Sequence, residues 1–157
     1  MKINKIKLEN WRNHKDFEFE FNGITILVGP NACGKTNFLE AIYYLACGRS
    51  FRSKDLYLIS WNENYFRLLG EIEKENKREE ILVVTENRDR TIKTVKIKGQ
   101  KKPTSHLLGH VNCVLFTPEE IELISTLPEA RRRYLNLIIS QTDREYALNL
   151  SHYKKSL

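Results

Sequence analysis

Apolar positions along this chain change their spacing several times, and each change marks an element. Ile3 to Leu8 predicts a strand, although its alternation is imperfect. Asn10-Trp11-Arg12-Asn13-His14 reads as a polar loop with one aromatic, and Phe17, Phe19 and Phe21 then alternate with Glu18 and Glu20 as a half-buried strand does. Asn22-Gly23 predicts a tight turn into Ile24-Thr25-Ile26-Leu27-Val28, a short β-branched run that reads as a buried strand. The expectation is therefore two strands hairpinned onto a third. From Asn37 to Ala46 the period lengthens to that of a helix, with Phe38, Leu39, Ile42 and Leu45 on one face and Gly48 as the C-terminal cap.

Further along, Arg49 to Lys54 forms a basic loop, and strands are expected from Tyr65 to Glu73, Glu80 to Thr85 and Thr91 to Lys98. The mixed charges between Glu71 and Glu80 fit a solvated hairpin. Thr104 to Leu108 predicts a short helix ending at Gly109, and Val111 to Phe116 a second apolar strand. Thr117-Pro118-Glu119-Glu120 combines a capping threonine, a proline at the first helical position and an acid three residues on, so a helix holding Ile121, Leu123 and Ile124 should start there. Another helix is expected from about Pro128 to Ser140, and Thr142-Asp143-Arg144-Glu145 opens a last one with no closing signal. No internal repeat or low-complexity linker is present.

The central apolar run breaks into Gly29-Pro30-Asn31-Ala32-Cys33-Gly34-Lys35-Thr36, which is the Gly-x-x-x-x-Gly-Lys-Thr phosphate-binding loop placed between a predicted strand and a predicted helix. Glycines permit the backbone angles and close approach that such a loop requires. Successive amides can turn inward as an anion nest, reinforced by the unpaired amides and dipole of the new helix. Lys35 is the candidate catalytic residue, placed to bridge the β- and γ-phosphates, and the Thr36 hydroxyl is the candidate Mg²⁺ ligand. Gly29 through Asn37 form the candidate nucleotide site, with ATP and Mg²⁺ as the expected cofactors.

Composition adds less. The 157 residues are 41% hydrophobic and 29% charged, as in an ordinary globular domain, and the net charge of +6 permits a polyanionic partner without requiring one. No stretch approaches a membrane span, Met1 to Lys5 lacks a signal-peptide core, and the three cysteines, Cys33, Cys47 and Cys113, are too scattered for a zinc or disulfide frame. A reduced, cytoplasmic setting is the economical expectation.

Several stretches resemble the N-terminal portion of the RecF family. They are Lys7 to Asn13, Gly29-Pro30-Asn31, Gly34 to Leu45, Gly48 to Arg52, Val114 to Glu119 and Glu129 to Leu135. The resemblance implies an α/β fold, the P-loop NTPase head of ABC-type ATPases related to chromosome-maintenance proteins. It places an ATP-binding lobe at residues 1–116, with an antiparallel β-rich part, and the beginning of a second, helical lobe at 117–157. It implies a DNA replication and repair protein that binds DNA at single-strand/double-strand gap junctions in an ATP-dependent manner. That protein would work as an ATP-dependent homodimer and assist recombinase loading with RecR and RecO-like mediators, with no membrane role. It also implies that Arg12 and Asn13 lie beside the nucleotide. The family usually has glycine at the position of Ala32, so the loop should be slightly stiffer here with binding retained. Any small residue should serve at Cys33.

The acidic strand end that holds Mg²⁺ and the signature that completes a partner's site in ABC-type ATPases do not occur in this sequence. Glu119 and Glu120 follow Thr117-Pro118 and read as a helix start. The complete protein is expected to be an ATPase, whereas this chain alone should bind nucleotide poorly and hydrolyse it hardly at all. Arg49 and Arg52 after the first helix, and Arg131 and Arg132 in the later one, are candidate DNA contacts; Lys93, Lys96 and Lys98 do not share a strand face and rank below them. His106 and His110 have a metal-like spacing that Gly109 interrupts, so no metal is expected there. Two other classes remain open on the residues alone: a P-loop ATPase or kinase that does not act on DNA, and a non-catalytic interaction module.

Overall fold

The computed structural model describes residues 1–118 and 128–156. Its frame is a six-stranded antiparallel sheet formed by β1 (Lys2–Trp11), β2 (His14–Glu20), β3 (Tyr65–Lys74), β4 (Lys77–Asn87), β5 (Thr91–Ile97) and β6 (Gln100–Lys102), in the order β2-β1-β3-β4-β5-β6. The β1–β2 hairpin and the three later strands lie near where the alternating pattern places them, but the expected loop from Asn10 to His14 narrows to Arg12-Asn13, because Trp11 is buried and pairs with His14 across the hairpin. The connections are short where the sequence supplies left-handed residues. Glu75 and Asn76 have φ of 51° and 60° between the paired Lys74 and Lys77, and Lys98 and Gly99 have φ of 53° and 75° between the paired Ile97 and Gln100. Two consecutive positive φ angles match the right-handed twist of the strands they join. The second of these turns carries β6, a strand too short and polar to be read from the pattern.

One sheet face carries the core. Ile6 and Leu8 of β1, Phe66, Leu68 and Ile72 of β3, Ile81 and Val83 of β4, and Val95 and Ile97 of β5 are all buried. Against them lies α1 (Lys35–Cys47), which buries Phe38, Ala41, Tyr44 and Leu45. Leu39, expected on the core face, is 48% exposed. The buried stripe is centred one residue further round, because α1 must also turn Glu40 and Tyr43 inward. Gly70 of β3 admits this approach, since a Cβ there would lie 2.8 Å from Leu45 Cδ1.

Aromatic side chains fix where α1 begins. Phe17, Phe19 and Phe21 gather around Phe38 with ring centroids 5.5, 5.4 and 6.0 Å away. Trp11 meets Tyr44 and Phe66 edge-on and donates its indole N–H to the Asn37 carbonyl at 2.7 Å. Gly48 caps the far end in the left-handed region, its N–H bonding Tyr44 O at 2.8 Å. Trp61, by contrast, is 94% exposed.

Two expected strands are absent. Residues 24–28 take no place in the sheet, and Ile24, Ile26 and Val28 are 96%, 81% and 89% exposed. Asn22-Gly23 does turn the chain, with Gly23 at φ 79°, but nothing pairs with the run it introduces. The segment from Val111 to Phe116 likewise stays out of any strand, with Val114 and Phe116 at 75% and 78% exposed. Strand propensity needs a neighbouring backbone to become a strand, and no described strand lies alongside either run. Instead, the second run is held by a side chain. Gln141 is buried, accepts from Cys113 N–H at 2.7 Å and donates to Cys113 O at 3.1 Å.

Gln141 belongs to α2 (Pro128–Thr142), which is followed by α3 (Arg144–Ser156). Asp143 caps α3 by accepting from Tyr146 N–H at 3.0 Å, as the Thr142-Asp143-Arg144-Glu145 sequence predicts. The short helix expected from Thr104 is a 3-10 turn, Thr104–His106, and Gly109 beyond it has φ 81°. The expected helix holding Ile121, Leu123 and Ile124 lies outside the described residues.

Candidate nucleotide-binding site

The phosphate loop runs from Gly29 directly into α1. Gly34 stands at the N-cap with φ 109°, a conformation that excludes side chains, and a Cβ there would lie 2.8 Å from Asn13 Nδ2 and from His14 Nε2. Glycine is thus required twice over, by the angle and by the crowding. With no side chain at the N-cap there is no side-chain hydrogen bond to the first turn, so the amides opening α1 have no intrahelical or capping acceptor. An anion is the natural acceptor at such an end. The residues present fit a phosphate chain.

The Lys35 ammonium folds back across the loop, donating to the carbonyls of Gly29 at 2.8 Å and Pro30 at 2.7 Å. Its charge therefore sits at the loop's mouth. Cys33 Sγ lies 3.7 Å from the same ammonium and packs over Gly29. Ala32 has φ 65°, so the position where the sequence departs from glycine is a left-handed one. A left-handed backbone puts a cost of about 1 kcal/mol on this alanine, which a glycine would avoid. Thr36 is exposed and opens onto a cleft of about 870 Å³ shared with Tyr43, Arg49, Arg52, Phe116 and Arg133.

Comparison with known proteins bears on the family and the fold. The family model described as AAA ATPase domain matches residues 1–156. The chain belongs to that family. It is 38% identical over 160 residues to the DNA replication and repair protein RecF of Natranaerobius thermophilus, covering 100% of this chain and 42% of that protein. RecF of Bacillus cytotoxicus is 36% identical over 159 residues, with the same coverage. The chain thus spans about 42% of the length of the curated relatives it matches. Among solved structures, the recombination mediator protein RecF with ATP superposes with a TM-score of 0.90 at 38% identity, over 99% of this chain and 44% of that one. An SMC ATPase structure superposes at 0.64 over 91% of this chain and 100% of that one, at 21% identity, which is a likeness of fold. The resemblance to the N-terminal portion of RecF and the ATPase-head architecture both stand. ATP binding is the chemistry the RecF–ATP structure names for that relative.

The structure brings Asn13 to the loop. Its Nδ2 donates to Cys33 O at 3.2 Å, and its Oδ1 accepts from Asn37 Nδ2 at 2.7 Å. His14, which the pattern did not single out, lies 3.2 Å from Gly34 O through Nε2. Arg12 turns inward instead. Its guanidinium grips Glu40 with Nε to Oε2 at 3.0 Å and Nη2 to Oε1 at 2.8 Å, and donates to Ser53 Oγ at 2.6 Å. Arg52, a candidate DNA contact in the sequence, donates to Glu40 Oε2 at 2.9 Å and to Asn37 Oδ1. Arg49, Arg131 and Arg132 are exposed on the surface.

Glu40 is the residue that sequence reasoning missed. It is completely buried and also accepts from Ser50 Oγ at 2.5 Å. Burial alone would raise its pKa, but the donors on Arg52, Arg12 and Ser50 outweigh it and bring the carboxyl down to about 2. The only sequence signal is a lone carboxylate between Leu39 and Ala41 in an otherwise apolar helical run, and nothing local to it points to Arg12 or Arg52 as its partners.

The remaining candidates have structural partners. His110 Nε2 lies 2.9 Å from Glu79 and His106 Nε2 lies 3.1 Å from Arg144, and among the described residues no cluster of metal-ligating side chains forms. Lys93 pairs with Asp55 at 2.6 Å beneath α1, donating also to Gly48 O at 2.6 Å. Burial pushes the Cys47 thiol up and, with Cys47 nearby, the Cys113 thiol up to about 11. No described helix is long and apolar enough to cross a membrane.

Proposed function

We propose that this chain is the ATP-binding N-terminal part of a RecF-type DNA replication and repair protein. The observation that carries the reading is the loop from Gly29 to Thr36, which opens α1 with uncapped amides and lays the Lys35 ammonium across its mouth. The loop amides and Lys35 hold the phosphates, and Thr36 supplies a hydroxyl to Mg²⁺, whose charge offsets that of the β- and γ-phosphates when bound. Lys35 is the residue on which the chemistry depends. Asn13 and Asn37 brace the loop from the side.

The whole protein uses this site to bind DNA at gap junctions as an ATP-dependent homodimer, in concert with RecR and RecO-like mediators, in the cytoplasm. Similarity to RecF proteins across the full chain supports that reading. The exposed apolar side chains of Ile24, Ile26, Val28, Val114 and Phe116 suit a surface that the rest of such a protein covers. Arg49, Arg131 and Arg132 supply positive charge for DNA phosphates.

Sedimentation of the full-length protein with MgATP tests the proposal. The parent should shift to a dimer on adding ATP and bind gapped duplex in that state, and Lys35→Ala should remain monomeric. A dimer whose formation ignores both ATP and Lys35 would overturn the reading.

A further inference from the structure

The environment of Glu40 is more elaborate than packing requires. A buried carboxylate costs several kcal/mol unless fully bonded, and an apolar residue between Phe38 and Tyr44 would serve the core better. Here one carboxylate instead gathers two guanidiniums from separate loops, Arg12 from the β1–β2 turn and Arg52 from the segment after α1. Both arginines sit one bond away from groups that touch the phosphate loop. Arg12 precedes Asn13, and its backbone, at φ 54°, is pinned in the left-handed region by Arg12 N–H to Leu58 O at 2.7 Å and Ser60 Oγ to Arg12 O at 2.6 Å. Arg52 reaches Asn37 Oδ1, Asn37 Nδ2 reaches Asn13 Oδ1, and Asn13 Nδ2 reaches Cys33 O.

The end of that relay matters because a trans peptide points its C=O and the next N–H in opposite directions. Holding Cys33 O toward Asn13 therefore turns the Gly34 N–H away from Asn13, to the other side of the loop. Contact of His14 Nε2 with Gly34 O acts the same way on the Lys35 N–H. We propose that Glu40 is a positioning residue for the phosphate loop, acting through Arg12 and through Arg52, Asn37 and Asn13 to set the direction of the amides that open α1. The proposal deepens the nucleotide-binding reading above and rests on it. Glu40 touches no nucleotide.

Amide order parameters from NMR relaxation of the ATP-free chain, together with calorimetric titration of the full-length protein with MgATP, test it. In Glu40→Gln the order parameters of the Gly34 to Thr36 amides should fall from the rigid range of about 0.85 toward about 0.6 while those of β3 and β4 keep their parental values, and ATP affinity should fall about tenfold. A purely structural role would lower order parameters across the sheet as well. Arg52→Gln cuts the outer arm without burying an unpaired charge, and should show the same local effect to a smaller degree if Glu40→Gln fails to fold. Parental order parameters at Gly34 to Thr36 in these variants would overturn the proposal. Failure of the full-length parent to bind ATP would instead count against the nucleotide-binding reading, leaving the order parameters to judge Glu40 separately.

Discussion

At the scale of single residues, the site is set by conformations that the sequence spells out unevenly. Gly34 could be named from its motif, and its φ of 109° and crowding by Asn13 and His14 show why. Ala32 could be named as a departure, and its φ of 65° gives the departure a physical cost. Glu40 could not, because its meaning lies in two arginines that fall 28 and 12 residues away along the chain. Its effect should be visible in acid. The folded pKa of about 2 lies below the ordinary 4.5, so the carboxylate contributes stability that is fully present above pH 4.5 and is lost as pH falls toward 2. By linkage the contribution is of order 3 kcal/mol at neutral pH. Urea unfolding of the parent should therefore show a steep loss of stability from about pH 4.5 downward, and a folded Glu40→Gln variant should show a shallower one. Equal slopes would mean that other carboxylates dominate the acid limb.

Elements were legible where local pattern decides them. The β1–β2 hairpin, β3 to β5, α1, α2 and α3 fall within a few residues of their expected bounds, because alternation, left-handed turn residues and caps are written locally. The runs at 24–28 and 111–116 were misread for the opposite reason. A strand is a relation between backbones, and the apolar run records only one side of it. Their exposure makes a contrast that can be measured. Ile26→Asn should change the unfolding free energy of this chain by less than about 0.5 kcal/mol, because the side chain is already in water. Leu68→Ala, deep in the sheet core, should cost about 2–5 kcal/mol. Comparable losses from the two substitutions in denaturant titrations would mean that the 24–28 run is packed in solution.

For the whole molecule, charge decides which partners are reachable, and the structure narrows the candidates. Arg52 is committed to Glu40 and Asn37, and Lys93 to Asp55, so neither is a simple surface cation. Arg49 and Arg132 are exposed, on the loop after α1 and on α2. Phosphate-dominated binding is insensitive to sequence and falls steeply with salt. Charge reversal at Arg49 together with Arg132 in the full-length protein should lower DNA affinity and reduce the slope of log affinity against log salt by about 1–2. Parental affinity and slope in fluorescence anisotropy would assign DNA contact to other surfaces.

The central claim, that the loop from Gly29 to Thr36 is a nucleotide site, is tested most directly by calorimetric titration of the full-length protein with MgATP, parent against Lys35→Ala. A folded Lys35→Ala variant should lose about 1.5–3 kcal/mol of binding free energy, the worth of a hydrogen bond to a charged group. The variant should keep the parental thermal unfolding profile, since the hydrogen bonds Lys35 makes among the described residues go to exposed loop carbonyls and the Cys33 thiol. Undiminished ATP affinity in that folded variant would contradict the account.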